Sequence, residues 1–150
     1  MKHIVCIVQQ HMFDKAKVKR LQSGLRRLYK ENYSTEPTKV LWMIMPKGYA
    51  FSERKESNAT ILLIEVDENI TKEKREGLMT IFSNHLLDNF DISPLDSIIT
   101  VANTSYIQQF MAGQQRRVAP SARFWIKLKT LFFAIISKLL NGYVQLRVRM

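Results

Sequence analysis

The sequence predicts an α+β fold, in which two tandem β-α-β units form a mixed four-stranded sheet with both helices on one face, followed by a C-terminal amphipathic helix. Three observations carry this reading. The first 115 residues repeat at an offset of 57, which maps Lys15 onto Lys72, Lys17 onto Lys74, Leu21 onto Leu78, Asn32 onto Asn89 and Tyr33 onto Phe90. In each copy 33 residues separate a strand isoleucine, Ile4 or Ile61, from a proline, Pro37 or Pro94, and a repeat that short marks one supersecondary unit used twice. The last thirty residues then change character, with six basic residues and no acidic one.

Residues 3–9 form a β-branched run too short for a helix, and residues 15–31 place Val18, Leu21, Leu25 and Leu28 at helical spacing with basic residues opposite. A strand returns at 38–45 after Pro37. The second unit reads as a strand over 59–66 and a helix from about Thr71 to Asp88, with Thr71 as N-cap and an acid in the first turn. A strand over 96–102 closes it. A strand joined to the next through a helix implies a parallel pair with a right-handed crossover. A ferredoxin-like sheet shares this element order, so pairing decides: here strand one is expected beside strand two, in parallel.

The runs Val40–Met45 and Ile61–Ile64 do not alternate apolar with polar, so both sheet faces need cover. Two helices cover one. The expectation is an oligomer that packs its sheets inward, or else a C-terminal segment folded back over the bare face. The 150 residues, 46% hydrophobic, suffice for a real core. The chain divides into a domain at 1–120, with units at about 1–57 and 58–117, and a basic extension at 121–150 that carries over half of the net charge of +10. One cysteine excludes an internal disulfide, and Cys6 reads as a core thiol. No secretory pattern follows Lys2 and His3, which points to the cytoplasm.

A paired β-α-β unit of just under sixty residues, a strand beginning at the amino terminus, and the segment Leu86-Leu87-Asp88-Asn89-Phe90-Asp91-Ile92-Ser93-Pro94 leading into a strand resemble the tautomerase superfamily over residues 1–117. That superfamily includes the macrophage migration inhibitory factor, oxalocrotonate tautomerase and malonate semialdehyde decarboxylase groups. The resemblance implies a trimer of fused units with sheets facing a central core, and an isomerase or decarboxylase of small oxo or enol acids working through an amino-terminal proline. Such an amine, its pKa lowered in a cationic and partly desolvated pocket, moves a proton between carbon and oxygen.

Lys2 stands where that proline belongs. A lysine there leaves Met1 in place and moves the free amine one residue outward. Lys2 serves as a base or Schiff-base amine only if its pocket lowers its pKa by several units from about 10.4; otherwise it is a lysine at a strand edge. The resemblance further implies substrate-carboxylate contacts from Arg54 and Lys55, in the loop before the second unit, where a solvated turn is the alternative; Asn103 at the end of the last strand is a candidate facing the same cleft. An inactive oligomeric binding protein is the alternative. No cofactor is expected: the five glycines are scattered, and His3, His11, His85 and Cys6 lack metal-ligand spacing. The basic cluster from Lys15 to Lys30 reads as a solvated helix face, since no paired stacking aromatics accompany it.

Residues 104–120, rich in glutamine, read as a polar connector. Residues 122–141 then form a helix whose apolar residues cover roughly 220° of the wheel at about 100° per residue, with only Lys129 interrupting the arc. The longest apolar run, Leu131–Ile136, is far short of a span. Phe124, Trp125, Lys127, Leu128, Leu131, Phe132 and Ile135 are the candidates for contact with a membrane interface or a protein partner; packing on the domain or on another subunit is the competing expectation. Tyr143–Arg149 reads as a final alternating strand.

Overall fold

The strand β1 (Lys2–Gln9) lies at the centre of the fold because both of its neighbours bond to it: β2 (Thr38–Met45) in parallel on one side and β5 (Thr60–Val66) antiparallel on the other. In this computed structural model residues 1–10, 12–46, 51–52, 55–56, 59–116 and 120–147 are described. Helix α1 (Lys15–Asn32) connects β1 to β2, and α2 (Lys72–Phe90) connects β5 to β6 (Ser97–Asn103), which pairs with β5 in parallel. Two-residue strands β3 (Phe51–Ser52) and β4 (Lys55–Glu56) pair between the units. The parallel neighbour of β1 makes the sheet mixed and separates it from a ferredoxin-like one.

The repeat is visible in the caps. Asp14 and Thr71 are 57 residues apart, and each side chain accepts from the backbone three residues on, Lys17 N at 2.7 Å and Lys74 N at 3.3 Å. Asp91 ends α2 with a left-handed φ of 56°, while Ile92 N returns to Leu86 O at 3.2 Å, the arrangement that closes a helix through its last carbonyls. Both helices lie on one face, where Val18, Leu21, Leu25 and Tyr29 of α1 and Leu78, Phe82 and Leu86 of α2 meet Ile4, Cys6, Trp42, Leu62 and Ile64. Each helix also sends a cation to the aromatic ring at the end of the other: Arg20 sits 5.2 Å from the Phe90 ring and Lys74 5.2 Å from the Tyr33 ring.

The offset fails in one place. Ile4 faces the helices, whereas Ile61 pairs with Ile7 on the opposite face, and it is Leu62 that joins the core. Because side chains alternate along a strand, a one-residue slip exchanges the faces, so the two units match in their helices and closing strands but not in their opening strands.

Two expectations change. The sheet has five strands, in the order β6-β5-β1-β2-β7, because β7 (Val144–Arg147) adds to β2 in parallel, with Tyr143 edge-on to the buried Trp42 at 6.0 Å. Residues 104–116 form a helix, α3 (Thr104–Arg116), instead of a connector. Glutamine, methionine, alanine and arginine are good helix formers, and Glu68 anchors the first turn from a distance, accepting from Ser105 N at 2.7 Å and Ser105 Oγ at 2.9 Å. Helix α4 (Pro120–Asn141) follows as expected. No helix among the described residues is long and apolar enough to cross a membrane.

Helices α1 and α2 approach closely at Gly24, where a methyl group would collide with the imidazole of His85. Glycine in a helix interior costs about 1 kcal/mol relative to alanine, and the close approach is its reason here. Gly24→Ala should therefore destabilise the wild type by about 1 kcal/mol, since overpacking typically costs 1–3 kcal/mol against that helical gain. In a His85→Ala background the same change should stabilise by about 1 kcal/mol. Urea titration of the four proteins reads the reversal of sign.

Candidate functional site

The antiparallel β1–β5 pair brings the start of β1 beside the carboxyl ends of β5 and β6, so Lys2 and His3 meet Glu65, Asp67 and Thr104. Lys2 points to the helix face, as Ile4 and Cys6 do, and its stem is buried with 8% exposure. Its ammonium donates to Asp67 Oδ1 at 2.5 Å and to Thr104 Oγ1 at 3.0 Å. The other Asp67 oxygen accepts from Tyr33 OH at 2.6 Å, and Asp67 N donates back to the same phenol oxygen at 2.6 Å. On the opposite face His3 contacts Glu65 Oε2 through its backbone N at 3.0 Å and Nδ1 at 2.8 Å. Thr104 joins the two faces by donating to Glu65 Oε1 at 2.9 Å. The Met1 ammonium lies outside this network, 3.4 Å from Glu36, with both side chains about half exposed.

The electrostatics follow from these partners. Burial pulls the Lys2 pKa down, but the hydrogen bond and charge of Asp67, with Glu65 behind it, outweigh burial and leave the pKa raised. The hydrogen bonds from Lys2 and then Tyr33 hold Asp67 below the usual carboxylate range. Burial and the Asp67 hydrogen bond push the Tyr33 phenol up. Lys2 therefore keeps its proton and presents a fixed positive charge, whereas a proton-accepting amine requires the opposite direction.

The structure places Lys2 inside the cluster and Asn103 at the same end of the sheet, where Asn103 Oδ1 accepts from Arg75 Nη2 at 2.8 Å and Arg75 Nη1 donates to Val101 O at 2.6 Å. Arg54 lies outside the described residues; Lys55 is placed by its backbone in β4, opposite Ser52. On α4, Phe124, Trp125, Lys127, Leu128, Leu131, Phe132 and Ile135 are all exposed. Sequence reasoning missed Asp67, Tyr33, Thr104 and Glu65. One signal was present: the repeat aligns Tyr33 with Phe90, so the hydroxyl is what distinguishes the units, and it is the group that holds Asp67.

No protein-family model matches the chain, and no curated protein is similar to it. Solved structures are. The chain is similar to Pt0534 inactivated by 2-oxo-3-pentynoate, with a TM-score of 0.60 and 13% identity over 67% of this chain and 84% of that one. It is also similar to N1, a member of the cis-3-chloroacrylic acid dehalogenase family, with a TM-score of 0.61 and 12% identity over 67% and 73%. A fused 4-OT wild-type symmetric trimer gives a TM-score of 0.58 and 10% identity over 67% and 84%. The fold is that of the tautomerase superfamily. At these identities the likeness is one of fold. Lys2, at the position where the resemblance leads one to expect a proline, is held here in an ion pair with Asp67.

The Lys2–Asp67 pair has a defined pH window. Asp67, lowered in the folded state, contributes stability above its ordinary value of 3.8 that is lost as pH falls through its folded value. Lys2, raised in the folded state, contributes stability below its ordinary 10.5 that is lost as pH rises through its folded value. Because the Asp67 side chain is 62% exposed, solvent screening leaves the pair about 0.5 kcal/mol. Asp67→Asn should lower the melting temperature by about 1–2 °C at pH 7, and the two proteins should converge as pH falls through the folded value of Asp67; thermal scans from pH 7 downward check this.

Proposed function

We propose that the protein is a homotrimeric tautomerase-like isomerase or decarboxylase of small oxo or enol acids. The observation that carries this reading is the Lys2 ammonium held by Asp67 and Thr104 at the head of β1, in a fold whose solved relatives include one inactivated by 2-oxo-3-pentynoate, an oxo acid. In this scheme the Met1 amine exchanges the proton once it leaves Glu36, the permanently charged Lys2 stabilises the developing enolate, and Arg54 or Lys55 holds the substrate carboxylate with Asn103 alongside. The trimer is supported by the open sheet face, where Val5, Ile7, Leu41, Met43, Ile61 and Leu63 are only half-buried in the single chain, and by the trimeric fused 4-OT relative. The unit at 1–120 supplies the cleft and 121–150 the extension.

A second reading is favoured by the locked Lys2: a catalytically inactive oligomer that presents α4 to a membrane or a protein partner. One assay separates the two. Enol–keto conversion of phenylpyruvate or 2-hydroxymuconate should exceed the uncatalysed rate with the wild type. Activity seen only in Lys2→Pro, with loss of Met1 verified by mass spectrometry, would favour the second reading, and none in either protein would sink the enzyme reading. Sedimentation should give three times the 17.6 kDa chain mass; a monomer would overturn the assembly.

A further inference from the structure

Helix α4 turns Ser137 toward its own chain. Among the described residues of α4 Ser137 alone is buried, 4% exposed, and the Ser137 hydroxyl accepts from Gln145 N at 2.9 Å and lies 3.2 Å from Tyr143 O. Lys15 Nζ adds a bond to Leu140 O at 2.7 Å. These polar contacts fix which side of the helix meets its own chain. The apolar arc consequently faces away, with Leu139 79%, Phe124 66%, Phe132 64%, Trp125 61% and Leu131 58% exposed. A helix docking on its own core would be turned the other way.

The charges around that arc identify its occupant. At about 100° per residue, the positions from Leu131 through Phe124, Ile135, Leu139 and Phe132 to Trp125 span about 120° of the wheel. Lys127 and Lys138 lie just beyond one edge and Lys129 beyond the other, all three exposed, and residues 121–150 contain no acidic side chain. Lysines on both borders can lay their methylene stems along the apolar surface and lift their ammonium groups to a plane of negative charge. A second copy of this arc would bring lysines against lysines with no acid in the segment to pair them. The helix has 22 residues and does not span a bilayer, so the matching geometry is a helix lying flat in the headgroup layer.

We propose that α4 is an interfacial helix that binds the protein to an anionic lipid bilayer, with the Phe124–Leu139 arc in the acyl boundary and Lys127, Lys129 and Lys138 at the lipid phosphates. This names the partner in the second reading above and rests on α4 being presented outward by the assembled protein; it is independent of whether the cleft is active. Several copies on one assembly multiply a modest single-helix affinity.

The test uses the full chain with phosphatidylcholine vesicles prepared with and without phosphatidylserine. The wild type should co-sediment only when phosphatidylserine is present, with a blue shift of tryptophan emission that reports Trp125, since Trp42 is already buried. Each of Lys127→Gln, Lys129→Gln and Lys138→Gln should weaken binding about fivefold. Phe132→Ser with Leu139→Ser should abolish binding and, both sites being exposed, leave melting temperature and sedimentation mass unchanged. Absence of vesicle binding by a correctly assembled wild type overturns the proposal. So does equal binding to both vesicles with no effect of the lysine changes, and so does a fall in oligomer mass in the serine double variant, which assigns the arc to an interface between copies. An altered wild-type mass or catalysis by the wild type bears on the readings above and leaves the vesicle result to be judged separately.

Discussion

The antiparallel seam between β1 and β5 is the constraint on which the rest of the molecule depends. Pairing Ile4 with Ile64 and Cys6 with Leu62 fuses two β-α-β units into one sheet, and crossovers of one hand, the rule for such units, place both helices on one side. The same seam sets the Gly24–His85 approach between the helices. It also carries the amino terminus to the carboxyl ends of β5 and β6, so that residues 2, 67 and 104, distant in sequence, share one ion-paired network. On the opposite face Val5, Ile7, Leu41 and Leu63 stay only half-buried.

Much of this was legible in the sequence because the repeat is carried by features with local causes. The helices declared themselves through 3.6-residue spacing, and Pro37 and Pro94 marked the approach to the closing strands. The region 104–116 was not legible, because its glutamine-rich composition suits a solvated connector as well as a helix, and the choice is made by Glu68, an acid 37 residues upstream of Ser105. The face exchange at Ile61 was hidden for a related reason. A continuous apolar run such as Ile61–Ile64 contains no alternation from which to read which side chain points to the core.

The candidate site was legible in its anchor and not in its partners. Lys2 drew attention by standing in a position where a proline would be expected. Its pairing with Asp67 depends on the strand pairing and on the hydroxyl of Tyr33, so spacing along the chain carries no trace of it. Helix α4 shows the converse case. Its apolar arc was plain from the wheel, but the direction in which that arc faces is decided by one serine hydroxyl that bonds to the backbone near β7.

The parallel pairing of β7 with β2 has a consequence for the chain as it is made. About a hundred residues separate Met45 from Val144, and at roughly 5–20 residues per second the ribosome takes on the order of ten seconds to supply the strand that closes this edge. During that interval the β2 edge, with Trp42 still lacking its Tyr143 neighbour, offers unpaired backbone groups to any nearby strand. The nascent chain passes through a stage at which this border is open, and the strand made about a hundred residues later is what seals it.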